Sequence, residues 1–289
     1  MELLATNLNR MIRVLLPIGL TLICGFVLGQ SAPQAGLDRA NFHFTGRYLV
    51  SVSDADMLPS AYIDGKLGPV AGQDALSLIR LDRPVGDLKA VEVGVSNSVT
   101  GPPSVVGVSP DGRYALTNAM YYGADISGTN SVPASVLAVR LAADTAARPV
   151  HQIADRVLSG VLSEGLAISP DGRWLATTNL EQSSFPLDSP RQGFFASVTL
   201  IRFDPQPGLL ERVGTYAFDG LLPESVVFDN TSRFLAVTTF AHSDPGRPGG
   251  SIDFWRITGD SADPKRTELV RTNYSVPVTR GGHTLVIVR

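Results

Sequence analysis

The sequence predicts an all-β fold, a β-propeller with four blades of about 60 residues each. Arg113, Arg173 and Arg233 recur at intervals of 60 residues, each inside a similar strand-turn-strand phrase. Every phrase is followed by a third apolar run and then by a weaker fourth one. A fixed period of this length indicates a repeat architecture, and four antiparallel strands per repeat make up a propeller blade.

The repeated phrase reads as a β-hairpin. Its first two copies contain Ser-Pro-Asp-Gly-Arg, with Asp111-Gly112 and Asp171-Gly172 at the turn, and the third reads Asp-Asn-Thr-Ser-Arg. Asp and Gly tolerate the positive φ that tight hairpin turns require. Apolar runs flank each turn, so a strand is expected on either side of it.

A third strand is predicted in every repeat by an apolar run that ends in arginine. Such runs are expected of strands that are packed on both faces. They occupy residues 75–80, 135–140, 197–202 and 251–256. Weaker fourth runs follow, for example at residues 89–95, 213–218 and 267–274.

The two ends of the propeller region predict ring closure. The copy at residues 44–54 has no convincing first strand, whereas residues 282–289 match a first strand with nothing after it. We therefore expect the last strand to complete the first blade, which removes the open sheet edges. In one domain of residues 36–289, the predicted blades are residues 44–96 with 282–289, 103–158, 163–218 and 223–275. A monomer is expected, and a dimer that forms an eight-bladed ring is the alternative.

Residues 1–30 predict a secretory signal peptide. Arg10 and Arg13 precede an apolar stretch at residues 14–28, and small residues suited to signal peptidase follow. The apolar stretch is shorter than a membrane span. The single cysteine, Cys24, falls inside it, so the mature chain would have no disulfide and no thiol nucleophile. We expect a periplasmic or secreted bacterial protein without membrane attachment after cleavage.

Charge and missing motifs narrow the function classes. The formal net charge is −3, and no basic run or basic-aromatic stripe is present, so nucleic acid is not an expected partner. The sequence has no Gly-x-Ser-x-Gly elbow, phosphate-binding glycine loop, His-Glu-x-x-His or metal-type cysteine spacing. The partner expected from the sequence is therefore a small-molecule ligand or another protein.

The first strands carry the main candidate site. Aligned with one another, they place Ser104, Glu164, Glu224 and His283 at one equivalent position, at the mouth of the central channel. Glu164, Glu224 and His283 could hold a divalent metal ion, or act as acid and base on a substrate. Arg280 and His283 could form an anion clamp and proton carrier. The alternatives are a structural arginine and a solvated channel entrance in which the glutamates pair with Arg280.

The long loops between second and third strands carry a further candidate site. Loops on a rigid scaffold often bind ligands, although plain solvated loops are the alternative. The candidate ligand-binding residues in these loops are Asp54, Tyr121, Tyr122 and His242.

The motifs Ser-Pro-Asp-Gly-Arg-Tyr, Ser-Val-Thr-Leu-Ile-Arg-Phe-Asp and Pro-Glu-Ser-Val-Val-Phe-Asp resemble those of the lactonase-type propeller superfamily. That superfamily includes 6-phosphogluconolactonase and the YVTN surface-repeat proteins, and WD40-like propellers use the same hairpin. The resemblance implies that Glu164, Glu224, Arg280 and His283 are the catalytic positions. We therefore expect an exported lactonase-like hydrolase of a small lactone or ester. The alternative is a non-catalytic propeller that binds a protein, glycan or small ligand through its loop face.

Overall fold

The computed structural model describes most of the predicted propeller. The described residues are 45–53, 74–95, 105–119, 135–141, 151–160, 163–179, 196–242, 246, 249–260, 262–279, 281–282 and 284–288. The predicted signal peptide, residues 1–30, lies outside them. No helix in the described segments is long and apolar enough to cross a membrane.

The predicted all-β fold is confirmed, because the described chain forms four successive antiparallel sheets of consecutive strands. The first sheet contains β1 (Tyr48–Ser53), β2 (Ala75–Arg80) and β3 (Ala90–Gly94). The second contains β4 (Val106–Val108), β5 (Tyr114–Ala119), β6 (Ser135–Arg140) and β7 (Gln152–Leu158). The third contains β8 (Ser163–Ile168), β9 (Trp174–Asn179), β10 (Ala196–Asp204) and β11 (Leu209–Phe218). The fourth contains β12 (Gly220–Phe228), β13 (Phe234–His242), β14 (Gly250–Gly259) and β15 (Thr267–Val278).

The repeated turns form the expected hairpins. Gly112 and Gly172 have φ values of 68° and 70°, the left-handed conformation that glycine adopts without strain. Ser232 takes the same conformation in the third copy, with φ of 60°. In the first copy, the Asp111 carboxylate accepts hydrogen bonds from the Ser109 hydroxyl and the Arg113 N–H.

A different side chain stabilises the third hairpin. Asp229 stands where the first two copies have serine, and its Oδ1 accepts from the backbone N–H groups of Arg233 and Phe234 at 3.0 and 2.9 Å. Its Oδ2 accepts from the Thr231 hydroxyl at 2.6 Å. One carboxylate therefore replaces the serine and aspartate of the other two turns, which explains how this copy folds without the Ser-Pro-Asp motif.

One backbone hydrogen bond recurs in all four sheets and confirms that they are copies of one unit. In each, the residue directly after the arginine that ends the third predicted run donates to the carbonyl of the arginine at the hairpin turn. The pairs are Leu81 with Arg47 at 3.0 Å, Leu141 with Arg113 at 2.8 Å, Phe203 with Arg173 at 2.8 Å and Ile257 with Arg233 at 2.9 Å.

The hydrophobic core lies between successive sheets. Leu76 and Leu78 of the first sheet pack with residues of the second. Tyr114 of the second sheet meets Phe203 of the third edge-on, with ring centroids 5.4 Å apart. The third and fourth sheets share a cluster that includes Trp174 and Trp255. Among the described residues, no buried cluster joins the fourth sheet to the first.

Ring closure is not shown by the described residues. β1 is the edge strand of the first sheet and pairs with β2. Residues 284–288 form no strand, and the Leu285 N–H donates to Ser225 Oγ of β12 at 3.4 Å. The C-terminal segment therefore lies beside the fourth sheet, so completion of the first blade by residues 282–289 and the blade count remain predictions.

Candidate functional site

Two predicted site residues, Glu164 and Glu224, lie at β-bulges in consecutive repeats. Glu164 belongs to β8, whose pairing with β9 shifts register between Ser163 and Leu166. Glu224 belongs to β12, whose pairing with β13 shifts directly after Pro223. A bulge bends its strand and redirects the side chain, and bulges are common beside active sites. Both glutamates therefore lie at the same kind of irregularity in the backbone of a first strand.

The two bulges lie against each other. A Cβ atom at Gly165 would lie only 2.7 Å from the carbonyl oxygen of Glu224 and 3.1 Å from Cα of Ser225. The Gly165 N–H donates to Thr178 Oγ1 at 2.7 Å, and that hydroxyl lies 3.5 Å from the Glu224 carbonyl oxygen. Because residue 165 has no side chain, β8 can approach β12 closely enough to place the two glutamates side by side.

Glu164 occupies an unusual position for a carboxyl group. Its side chain is almost fully buried, with the residue 3% exposed. Among the described residues, Oε2 of Glu164 has no hydrogen-bond partner. Burial raises the pKa of Glu164 well above its ordinary value, and the nearby charge of Glu224 raises it further. These conditions favour the protonated form, which can donate a proton or a hydrogen bond.

The two glutamates therefore differ in their surroundings. Burial raises the pKa of Glu164, whereas Glu224 is only partly buried. Two carboxyl groups in environments of different polarity are the usual basis for assigning one as general acid and the other as general base. An acid-base role for Glu164 and Glu224 therefore remains a prediction.

A buried polar network supports the start of β8, and sequence reasoning missed it. At its centre is the side chain of Asn179, which is fully buried on β9. Its Oδ1 accepts from Ser163 Oγ at 2.7 Å, directly before Glu164 in the chain. The remaining close side-chain contacts of the amide are Thr177 Oγ1, Ser197 Oγ and Thr199 Oγ1, each at 3.0 Å. Polar residues inside the buried strands β9 and β10 are the sequence signal that could have revealed it.

A buried ion pair stabilises the fourth sheet. Asp253 on β14 is fully buried and accepts from Arg271 Nη2 at 2.8 Å and from Ser251 Oγ at 2.6 Å. Arg271 also pairs with Asp219, in the connection between the third and fourth sheets. Burial alone would lower the pKa of Arg271, but hydrogen bonds to Asp253 and Asp219 raise it. These contacts indicate a structural role.

The other predicted site residues fall outside the part of the chain that the structure describes, with one exception. Arg280, His283, Asp54, Tyr121 and Tyr122 are outside the described residues. His242 is the exception.

The expectation that His242 lies in a loop was wrong. It is the last residue of β13 and pairs with Gly220. Strand β13 reaches this far because β12 already begins at Gly220 and supplies backbone partners.

The structure describes two of the three residues that were predicted to bind a metal ion. Glu164 and Glu224 lie on β8 and β12, strands of successive sheets that approach closely at Gly165, while His283 is outside the described residues. Within the described segments, no group of three or more His, Cys, Asp or Glu side chains is arranged to hold a metal ion. A site formed by Glu164, Glu224 and His283 therefore remains a prediction.

No protein-family model matches the sequence, and no curated protein sequence is significantly similar to it. Among solved structures, the chain is similar to a candidate 6-phosphogluconolactonase from Bacteroides fragilis, at 15% identity and a TM-score of 0.44 over 80% of this chain and 56% of that one. A periplasmic gluconolactonase from Pseudomonas aeruginosa matches at 19% identity and a TM-score of 0.42, over 72% and 50%. A hypothetical selenium-binding protein from Sulfolobus tokodaii matches at 12% identity and a TM-score of 0.48, over 80% and 52%.

The chain thus spans about half the length of these three structures. Lactonase-like β-propellers are among the solved structures that it resembles, at low identity.

Proposed function

We propose that this protein is an exported lactonase-like hydrolase that acts on a small lactone or ester at the channel face of the sheets. One observation carries the proposal. The buried Glu164 carboxyl group, with Oε2 unpartnered among the described residues, lies beside Glu224 at matching bulges of β8 and β12. A protonated acid next to a second, less buried carboxylate suits the hydrolysis of an acyl–oxygen bond.

The chemistry follows from these two roles. Glu224 accepts a proton from a water molecule as the water oxygen attacks the acyl carbon of the substrate. The acyl–oxygen bond then breaks, and Glu164 gives its proton to the departing alkoxide oxygen. The product is a hydroxy acid, or an acid and an alcohol, and the proton held by Glu224 returns to Glu164 through solvent.

Arg280 and His283 extend the proposal to residues near the C-terminus. Arg280 would hold a substrate carboxylate or polarise the carbonyl group, as the resemblance to the lactonase-type superfamily implies. His283 would assist Glu224 in activating water. If a divalent metal ion takes part, Glu164, Glu224 and His283 are its proposed ligands.

The test is hydrolysis of a panel of lactones and simple esters by the purified mature protein. We expect Glu164→Gln and Glu224→Gln each to lower kcat by roughly 100-fold or more, the usual range for loss of a general acid or base. Glu211→Gln, which alters an exposed glutamate on β11, is the matched control and should retain wild-type turnover.

The outcomes separate the alternatives. Loss of turnover on addition of a chelator, restored by a divalent ion, would support the metal-assisted form. Wild-type turnover in both folded glutamine variants would exclude the acid-base roles. A wild-type protein that hydrolyses nothing in the panel would contradict the proposal and favour the non-catalytic binding protein.

A further inference from the structure

The outward face of the fourth sheet has the features of a face that another sheet covers. Each repeat has an aromatic residue directly after the repeated arginine. These residues are Tyr48, Tyr114, Trp174 and Phe234. In the second and third sheets, Tyr114 and Trp174 are buried in the clusters shared with the following sheet. In the fourth sheet, Phe234 is 39% exposed.

An arginine accompanies the aromatic ring in the same repeats. Arg140 lies over the ring of Tyr114 at 5.4 Å, and Arg202 lies over Trp174 at 5.9 Å. Arg256 is the equivalent residue of the fourth sheet. It lines an open groove of about 820 Å³ together with Phe234, Phe254 and Tyr274. Tyr274 is 77% exposed, so this groove is an apolar surface where the other sheets have an interface.

The first sheet presents the complementary face. Leu49 on β1 is 42% exposed. By the spacing of the repeats, its equivalents are Ala115, Leu175 and Leu235. All three are buried in clusters shared with the preceding sheet. The first sheet therefore has the surface that a preceding sheet covers, and the fourth has the surface that a following sheet covers.

The C-terminal segment supports the same reading. Leu285 donates to Ser225 Oγ, and a Cβ at Gly282 would lie 2.7 Å from Thr238 Oγ1. One repeat earlier, Thr178 contacts Glu224 of β12 in the same way. Gly282 and Leu285 thus take on the fourth sheet the place that β12 takes on the third, which is the place of a following first strand.

We propose that the groove of the fourth sheet binds the first sheet of a second copy of this chain, and that the second copy does the same in return. Residues 284–288 of each chain would then pair with β1 of the other. Head-to-tail interfaces close into a ring when the rotation permits, and two chains of four sheets give eight blades, within the known range. The second copy is favoured over closure within one chain because no buried cluster among the described residues joins the first and fourth sheets.

Mass measurement of the mature protein in solution tests the interface. The wild type should be a dimer. Phe254→Glu and Leu49→Glu each place a charge on one of the two faces, so each variant alone should be a monomer. An equimolar mixture should form dimers again, because the intact faces of the two variants can still pair once. Leu209→Glu, at an exposed position of β11 in the third sheet, is the control and should stay dimeric.

A cysteine pair tests which chain supplies the last strand. Val226 pairs with Val237 in the fourth sheet, and the alignment of Glu224 with His283 makes Leu285 the expected partner of Ser51. Mature chains with Ser51→Cys mixed with chains with Leu285→Cys should form a disulfide-linked dimer under mild oxidation.

Three results would overturn the proposal. The first is a monomeric wild type. The second is an intrachain disulfide in a monomer that has both Ser51→Cys and Leu285→Cys, which would show closure within one chain. The third is a mixture of folded Phe254→Glu and Leu49→Glu chains that does not dimerise, which would exclude head-to-tail docking. Circular dichroism of each variant checks that it is folded.

Discussion

The buried carboxyl group of Glu164 lies beside Glu224, and the charge of Glu224 adds to burial in raising the pKa of Glu164. The relationship depends on two matching bulges and on Gly165 of β8, where a side chain would collide with β12. It joins a buried carboxyl group of one repeat to a partly buried carboxyl group of the next. It also makes stability depend on pH in a direction that can be measured.

Glu164→Gln should change how stability depends on pH. The folded protein binds the Glu164 proton more tightly than the unfolded chain, so this contribution is complete below about pH 4.3, the pKa of an unfolded glutamate. It is lost as pH rises through the raised folded pKa. Glutamine does not titrate, so the variant should lose less free energy of unfolding between about pH 5 and pH 9. Urea unfolding across this range measures it, and parallel curves for variant and wild type would contradict the prediction.

Gly165→Ala should destabilise the protein. Its Cβ would lie 2.7 Å from the carbonyl oxygen of Glu224, too close for ordinary contact with backbone. We expect a loss of about 1–3 kcal/mol in the free energy of unfolding, typical of overpacking. Gly107→Ala on β4 is the matched control, because its nearest neighbour, Ile168 Cγ2, is 3.7 Å away. Equal stability of the two variants would show that the strands can separate freely at this point.

Arg271→Met should be far more damaging than loss of an exposed ion pair. It leaves Asp253 as a buried carboxylate without its cation, which costs about 3–5 kcal/mol. Adding Asp253→Asn should recover part of that loss. Arg266→Met, which removes exposed pairs with Asp260 and Asp263, should have a far smaller effect, because water screens exposed pairs. Chemical denaturation measures all three changes, and equal costs for the two arginines would refute the structural role of Asp253.

The third hairpin should remain stable when its turn residues are replaced by those of the first hairpin. Hydrogen bonds from Thr231, Phe234 and Arg233 outweigh the effect of partial burial and lower the pKa of Asp229. The stability that this carboxylate contributes is therefore present above about pH 3.9, the pKa of an unfolded aspartate, and is lost as pH falls through the folded pKa. Asp229→Ser should lower the melting temperature at neutral pH and make acid unfolding less steep.

Adding Thr231→Asp should restore the melting temperature. The double variant has the Ser-x-Asp arrangement found at Ser109 and Asp111 in the first hairpin. A double variant no more stable than Asp229→Ser would show that the two kinds of turn are not interchangeable.

Local features were predictable from the sequence. The hairpin turns, the strands on either side and the repeat length follow from residues close together in the chain, such as Asp111 and Gly112. The neighbouring positions of Glu164 and Glu224 were also predictable, because equivalent residues of successive repeats face one another. The expected loop position of His242 failed because strand length depends on how far the partner strand extends.

The sequence by itself determined the repeat, the antiparallel sheets and the two glutamates as a candidate pair. Only the tertiary structure decided that Glu164 is buried, that Gly165 allows its approach to Glu224, and that Asn179 anchors Ser163. These features depend on contacts between sheets, which a strand pattern does not specify. The same reason applies to residues 282–289. Their pattern predicts a first strand, but any exposed edge with a matching face can satisfy it, so only packing between sheets selects its partner.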